Sequence, residues 1–192
     1  MDEFLDIVSD QDEVIGLESR AIIHQTGLQH RCVHIFLFTR DGRLLIQKRS
    51  PARSAYPSAW DGSVSEHVKA GESYAEAAAR GLKEELGVYG LDLQPLITFR
   101  MNYGPNDNEI SMLFRGQVDP AAVIFDPVEI EKVGYLYGGQ LLKFIQDGNE
   151  AVCSWFANII RWYSGEKEKL QILQIYNPDH LFAMEQGNFS MD

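Results

Sequence analysis

The chain has 192 residues, 45% of them hydrophobic and 11% aromatic, enough to build a sizeable core and to exclude wholesale disorder. Its 17 Lys and Arg against 28 Asp and Glu give a formal net charge of −11, which disfavours nucleic acid and anionic membrane surfaces as partners. Cys32 and Cys153 make neither a disulfide framework nor a Cys-based zinc site. The acidic start, MDEFLDIVSDQDE, has no signal-peptide apolar region, and no apolar run reaches the length of a membrane span, so a cytoplasmic protein is expected.

In chain order, Phe4 to Val8 and Val14 to Leu17 read as short strands around an Asp-rich turn, followed by a basic, His-containing connection. Cys32 to Thr39 is a β-rich apolar run, and Asp41-Gly42 is a hairpin turn before a strand from Leu44 to Gln47. Residues 50–65, with Pro51, Pro57 and Gly62, read as a long loop of the kind that often carries function. Ser73 and Glu76 form a capping box and Gly87 a C-terminal stop, with Ala75, Ala78, Ala79, Leu82 and Leu86 on one side at helical spacing. Strands follow at 93–101, 109–117 and 131–137, then helices at 139–147 and 150–164. The expected organisation is one domain over 1–170 and a more polar tail over 171–192 that docks or frays. The apolar faces of the last helices serve either the core or a homodimer.

On a helical wheel, Glu84 and Glu85 lie within roughly 60° either side of Gly81, with Ala77 and Val88 on the same face, pointing away from the apolar stripe. Adjacent carboxylates beside small residues suit Mg²⁺ or Mn²⁺ bridged to phosphate oxygens, although a Glu pair near a helix end is more often merely solvated. The longer context, residues 71–88 (GESYAEAAARGLKEELGV), resembles the Nudix box: Gly, five residues, Glu, seven residues, Arg-Glu, aliphatic, any residue, Glu-Glu, any residue, Gly, aliphatic. Glu72, Arg80, Leu82, Glu84, Glu85, Gly87 and Val88 fall in register. The segments HRCVHIFLFTRDGRLLIQKRS and YPSAWDGSVSEHVKAGE are similar to the Nudix branch that includes isopentenyl-diphosphate isomerases and related hydrolases. The resemblance covers about residues 4–170 and implies an α/β fold, an α/β/α sandwich around a mixed sheet, in which the box loop and helix hold divalent metal against a diphosphate.

Two positions depart from the box. Its opening Gly is Glu66, and the Glu after the Arg is Gly81, where the family's hydrolases usually have a metal ligand. Gly inside a helix costs about 1 kcal/mol relative to Ala, so its presence calls for a reason. Either the site has degenerated, or Glu66 reaches over Gly81 and supplies the lost carboxylate.

The resemblance also assigns the supporting residues. Glu72 and Arg80, flanked by Gly71 and Gly87, brace the box loop against the helix. His67 aligns with a metal-binding His, and Glu109 with one of two metal-binding acids of the isomerases. Asp107 matches the other acid, though Asp107 and Asn108 equally suit a turn. Arg20, His24 and His30 lie in a segment that contacts diphosphate and metal there, and Trp155 is placed like an isomerase aromatic. Lys48 and Arg49, at a strand end, are candidates to orient a diphosphate, and Trp60 reads as an apolar anchor. Ser65 stands where the isomerases have a protonating Cys, and a hydroxyl has far too high a pKa for that role. The expectation is a Mg²⁺- or Mn²⁺-dependent pyrophosphohydrolase of a small diphosphate compound of the nucleoside diphosphate-X type. The catalytic residues expected are Glu84 and Glu85, with Glu66, Glu109 and His67 as further metal ligands. The alternatives are a catalytically weak ligand-binding module and, less favoured, an isomerase-like enzyme.

Overall fold

Alternation along one strand, β3 (His30–Phe38), sets the architecture. Val33, Ile35 and Leu37 are fully buried on one face, where they meet the helix α2 (Tyr74–Leu86). Phe36 and Phe38 face the other side and join a second core built on α3 (Gly138–Asp147) and α4 (Ser154–Tyr163). The computed structural model describes residues 3–102, 104 and 106–176.

A two-stranded sheet of β1 (Phe4–Val8) and β2 (Val14–Ser19) precedes a short helix, α1 (Arg20–Thr26). The main mixed sheet also contains β4 (Leu44–Arg49), β5 (Trp60–Asp61), β6 (Val64–His67), β7 (Gln94–Asn102), β8 (Asn108–Gln117), β9 (Ile130–Leu136) and β10 (Gln171–Ile175). Its order is β10-β7-β8-β3-β4-β5, with β6 pairing β3 and β9 pairing β4. β3 and β8 run parallel, which requires a crossover, and α2 lies in that connection. Layers of helix, mixed sheet and helix give the expected α/β sandwich. No described helix is long and apolar enough to cross a membrane.

α2 forms where its caps predict. The Glu76 amide donates to Ser73 Oγ, the Glu76 carboxylate accepts from the Ser73 amide at 2.8 Å, and Gly87 ends the helix at φ 64°. Its buried face differs from the one expected. Ala77, Ala78, Gly81, Leu82, Glu85 and Leu86 are buried, while Ala75 and Ala79 are exposed. Two neighbouring i,i+4 rows pack against the sheet, so Glu85 borders the core and Glu84 looks outward. Burying Leu82 and Leu86 contributes about 1.5–3 kcal/mol each.

Three further expectations change. The basic connection after β2 is α1, ended by Gly27 at φ 74° but with no side-chain hydrogen bond at its N-cap. The loop over 50–65 contains β5 and the start of β6, stretches too short to show a period. Of the two alternatives for the tail, residues 171–175 take the docked one, pairing with β7 and extending the sheet past residue 170. Residues 177–192 lie outside the described ones.

Candidate functional site

Strand β6 separates two chemically different surfaces. Its register against β3 pairs Val33 with Glu66, Cys32 with His67 and His34 with Ser65. Alternation then turns Val64 and Glu66 toward α2, and Ser65 and His67 toward the opposite face. Both surfaces border one cavity of about 490 Å³.

On the helix side, β6 runs so close to α2 that a Cβ on Gly81 would lie 2.9 Å from Val64 Cγ1 and 3.3 Å from Glu66 Cβ. The Glu66 side chain thus packs over Gly81. Its Oε1 accepts from the His67 amide at 3.0 Å, and its Oε2 lies 3.1 Å from Arg80 Nη1. Arg80 also grips Glu72 through two nitrogens at 2.8 and 3.0 Å, donates to the His67 carbonyl at 2.8 Å and reaches Glu84 at 3.3 Å. Through these bonds it ties the box loop to the helix. Gly71, at φ 77°, and Gly87 make the turns at either end of this unit.

Glu85 is 9% exposed and accepts a 2.7 Å hydrogen bond from Gln47 at Oε2. Burial, and then the nearby Glu66 charge, push its carboxyl up to about 8. Burial raises Glu66 as well, although Arg80 opposes the shift. A buried carboxyl and a half-buried one that repel each other form a site that gains from a shared divalent cation. The cradle over Gly81 and these hard oxygens fit such an ion, with Glu66 and Glu85 inside and Glu84 at the rim.

On the opposite face, the rings of His24, His30 and His67 stand 5.0–5.2 Å apart by centroid. His24 Nε2 is 3.2 Å from His67 Nε2, and His24 Nδ1 is 3.3 Å from Asp107 Oδ1. The fully buried His30 holds Nδ1 to the Leu28 carbonyl at 3.1 Å and turns Nε2 toward Glu109, whose Oε1 is 3.6 Å away. Neither His30 Nε2 nor Asp107 Oδ1 completes a hydrogen bond. Burial lowers His30, but Glu109 and Leu28 outweigh it and leave the imidazole raised. Burial, then the His30 and Arg20 charges, hold His67 well below the usual range. Orphaned buried donors and acceptors among imidazoles and carboxylates fit a divalent cation. Glu109 and His67 belong to this second group, not to the carboxylates of α2.

The cavity wall also carries Arg20, Arg49, Arg53 and Trp155. Arg49 is held by the fully buried Asp61 at 3.3 Å and lies over the Trp155 ring at 5.7 Å. Trp155 Nε1 donates to Asp61 at 2.8 Å. Lys48 is not at the site. Alternation along β4 places it on the α3/α4 side with Ile46, where its Nζ pairs with Glu150 at 3.3 Å. Trp60 packs in that same core, as an anchor.

Several residues escaped the sequence reading. Gln47 interrupts the apolar run LLIQKR, and a polar residue at an inward strand position was a usable signal. Arg53, paired with Glu129, sits in a loop with no pattern. Cys32 and His34 share the His30 face only once β3 is known to be a strand from His30.

A family model described as the NUDIX domain matches residues 28–156. A Nudix hydrolase of Deinococcus radiodurans is 35% identical over 171 residues, covering 87% of this chain and 97% of that protein. Isopentenyl-diphosphate Delta-isomerase 2 of Photorhabdus laumondii is 32% identical over 171 residues, covering 85% and 94%. An uncharacterized Nudix hydrolase of Streptomyces coelicolor is 39% identical over 102 residues, a match spanning only 56% of that protein's length. The crystal structure of DR0079 from Deinococcus radiodurans superposes with a TM-score of 0.73 at 34% identity, covering 83% of this chain and 98% of that one.

Proposed function

This chain belongs to the Nudix family, and on that premise we propose a divalent-metal-dependent pyrophosphohydrolase acting on a small diphosphate compound. The observation that carries the reading is the packing of Glu66 Cβ and Cγ over Gly81, with the Glu66 charge felt at Glu85, which supports Glu66 as the source of the carboxylate the box has lost. Glu66, Glu84 and Glu85 would hold Mg²⁺ or Mn²⁺, which would supply neutralisation of phosphate charge and acidify the attacking water.

The chain's own residues divide the remaining work. Glu85, whose raised carboxyl a bound cation would return to the carboxylate form, takes the proton of the attacking water, with Gln47 fixing its Oε2 and so its orientation. The water oxygen bonds to one phosphorus, the bridging P–O bond breaks, and the second phosphate leaves with the electron pair. Arg49 and Arg53 lie on the cavity wall where guanidinium forks suit phosphate oxygens. Glu84, with its side chain 51% exposed, completes the rim of the carboxylate group.

Against isomerisation, Ser65 Oγ lies 3.0 Å from His34 Nδ1 and offers no acidic proton to an alkene. The test is product release from nucleoside diphosphate sugars, dinucleoside polyphosphates, nucleoside triphosphates and isoprenoid diphosphates, with Mg²⁺, Mn²⁺ or chelator. Metal-dependent phosphate or nucleotide release that disappears with Glu85→Gln supports the proposal. Binding without turnover favours a ligand-binding module, and rearranged isopentenyl diphosphate favours an isomerase.

A further inference from the structure

We propose that Cys32, His34 and Glu109 form a further cation site, beside the α2 carboxylates and the histidine cluster, one that takes Zn²⁺ or a similar thiolate-preferring ion in place of Mg²⁺. It stands apart from the α2 carboxylates and goes beyond the hydrolase reading, since it needs neither diphosphate nor turnover.

The site arises from strand register. Alternation along β3 puts His30, Cys32 and His34 on one face, and the parallel pairing with β8 sets His30 opposite Glu109 and Cys32 opposite Ser111. One donor atom from each of Cys32, His34 and Glu109 lies within 4.8 Å of the other two, and all three residues are buried. Donor atoms around a tetrahedral Zn²⁺ stand roughly 3.5 Å apart, so about an ångström of side-chain closure completes the group.

The donors decide the ion. A thiolate with an imidazole and a carboxylate suits Zn²⁺ or Co²⁺, whereas Mg²⁺ demands oxygen. All three residues line the cavity, so a fourth position opens onto it, as in zinc sites that keep an exchangeable ligand. His34 Nδ1 lies 3.0 Å from Ser65 Oγ, the kind of outer contact that fixes the ring and tautomer of a ligating imidazole. Cys32 Sγ sits 3.1 Å from the Glu66 carbonyl, which holds the sulfur on the strand that parts the two surfaces.

Glu109 joins this group to the histidine cluster. Its Oε1 faces His30 Nε2 at 3.6 Å, while its Oε2 accepts from Ser111 Oγ at 3.3 Å, beside Cys32 in the register. The carboxylate therefore borders both groups, with the unsatisfied Nε2 of His30 beside its Oε1. Two cations bridged by one carboxylate is the arrangement this geometry favours.

The test uses the full chain, stripped by chelator and titrated with Co²⁺ or Zn²⁺ alone. Co²⁺ should produce a sulfur-to-metal charge-transfer absorption in the near ultraviolet that millimolar Mg²⁺ does not displace. Cys32→Ser should abolish that absorption, while Cys153→Ser, whose thiol lies in the core beside α4, should keep it. His34→Gln should weaken the ion reporting through sulfur by roughly tenfold or more. X-ray absorption at the zinc edge of the unaltered protein, loaded to one and to two equivalents, should show a sulfur ligand at about 2.3 Å. Nitrogen and oxygen ligands alone at both loadings would overturn the proposal, as would a charge-transfer band that survives Cys32→Ser. The measurement on unaltered protein decides the matter even if a variant fails to fold.

Discussion

The two sides of β6 are four residues of one strand put to opposite uses. Toward α2, Val64 and Glu66 press on a helix that gives way with a glycine, and the resulting group is all oxygen: Glu66, Glu84 and Glu85. Toward the other side, Ser65 and His67 meet histidines, a cysteine and acids, and that group is mostly nitrogen with one sulfur. Hard oxygens suit a cation that carries phosphate, and imidazoles suit a borderline one. The contrast shows that one strand, through its period of two, can present two different donor sets beside a single cavity.

Four changes break or sharpen that contrast, beginning with the largest effect. Glu85→Gln should lower turnover by about 10²–10⁴-fold, the range for a lost general base, and leave the imidazole side untouched. Steady-state kinetics beside Co²⁺ titration reads both sides at once; equal loss on both would show that they are one site.

Glu66→Gly should weaken Mg²⁺ binding and turnover by roughly 10–100-fold, and adding Gly81→Glu should recover most of the loss. Calorimetric titration of the two variants measures this, and unchanged affinity in Glu66→Gly rejects the exchange of ligands.

Gly81→Ala should destabilise the protein by about 1–3 kcal/mol, where an ordinary helix would gain about 1 kcal/mol. The cause is Val64, a fully buried, stiff β-branched side chain 2.9 Å from the new Cβ. Urea unfolding gives the sign directly.

The last effect is on pH. The folded Glu85 carboxyl sits at about 8 against an ordinary 4.5, so the folded state retains a proton that the unfolded chain loses. Its contribution is fully present below about 4.5 and is lost as pH rises through about 8, with a slope approaching 1.4 kcal/mol per pH unit at most. Melting curves of the metal-free protein should show this decline, and Glu85→Gln should flatten it.

Much of the fold was legible because its signals are local. Ser73, Glu76 and Gly87 delimit α2 through hydrogen bonds and a left-handed turn within a few residues of one another. The apolar strands announced themselves by composition, and the Asp41-Gly42 turn by its residue pair, which the structure bears out with Gly42 at φ 88°. The elements that were missed lack such signals. α1 has seven residues and no side-chain cap, β5 has two residues, and β10 exists by pairing with β7. Lys48 was misplaced because the end of a strand does not announce which face its neighbours use.

The site divides along the same line. The spacing of Glu72, Arg80, Glu84 and Glu85 follows from one loop and one helix, whose geometry is set by neighbours in sequence, so the residues alone determined that unit and its carboxylates. That Glu85 is desolvated while Glu84 is wet depended on how the helix lies against the sheet. That Glu66 covers Gly81, that Arg49 rests on Trp155, and that Cys32, His34 and Glu109 converge were decided by strand register and packing between segments up to 106 residues apart. Those contacts come from hydrophobic burial across the two cores, which acts without regard to sequence distance and leaves no periodic trace at the residues it brings together.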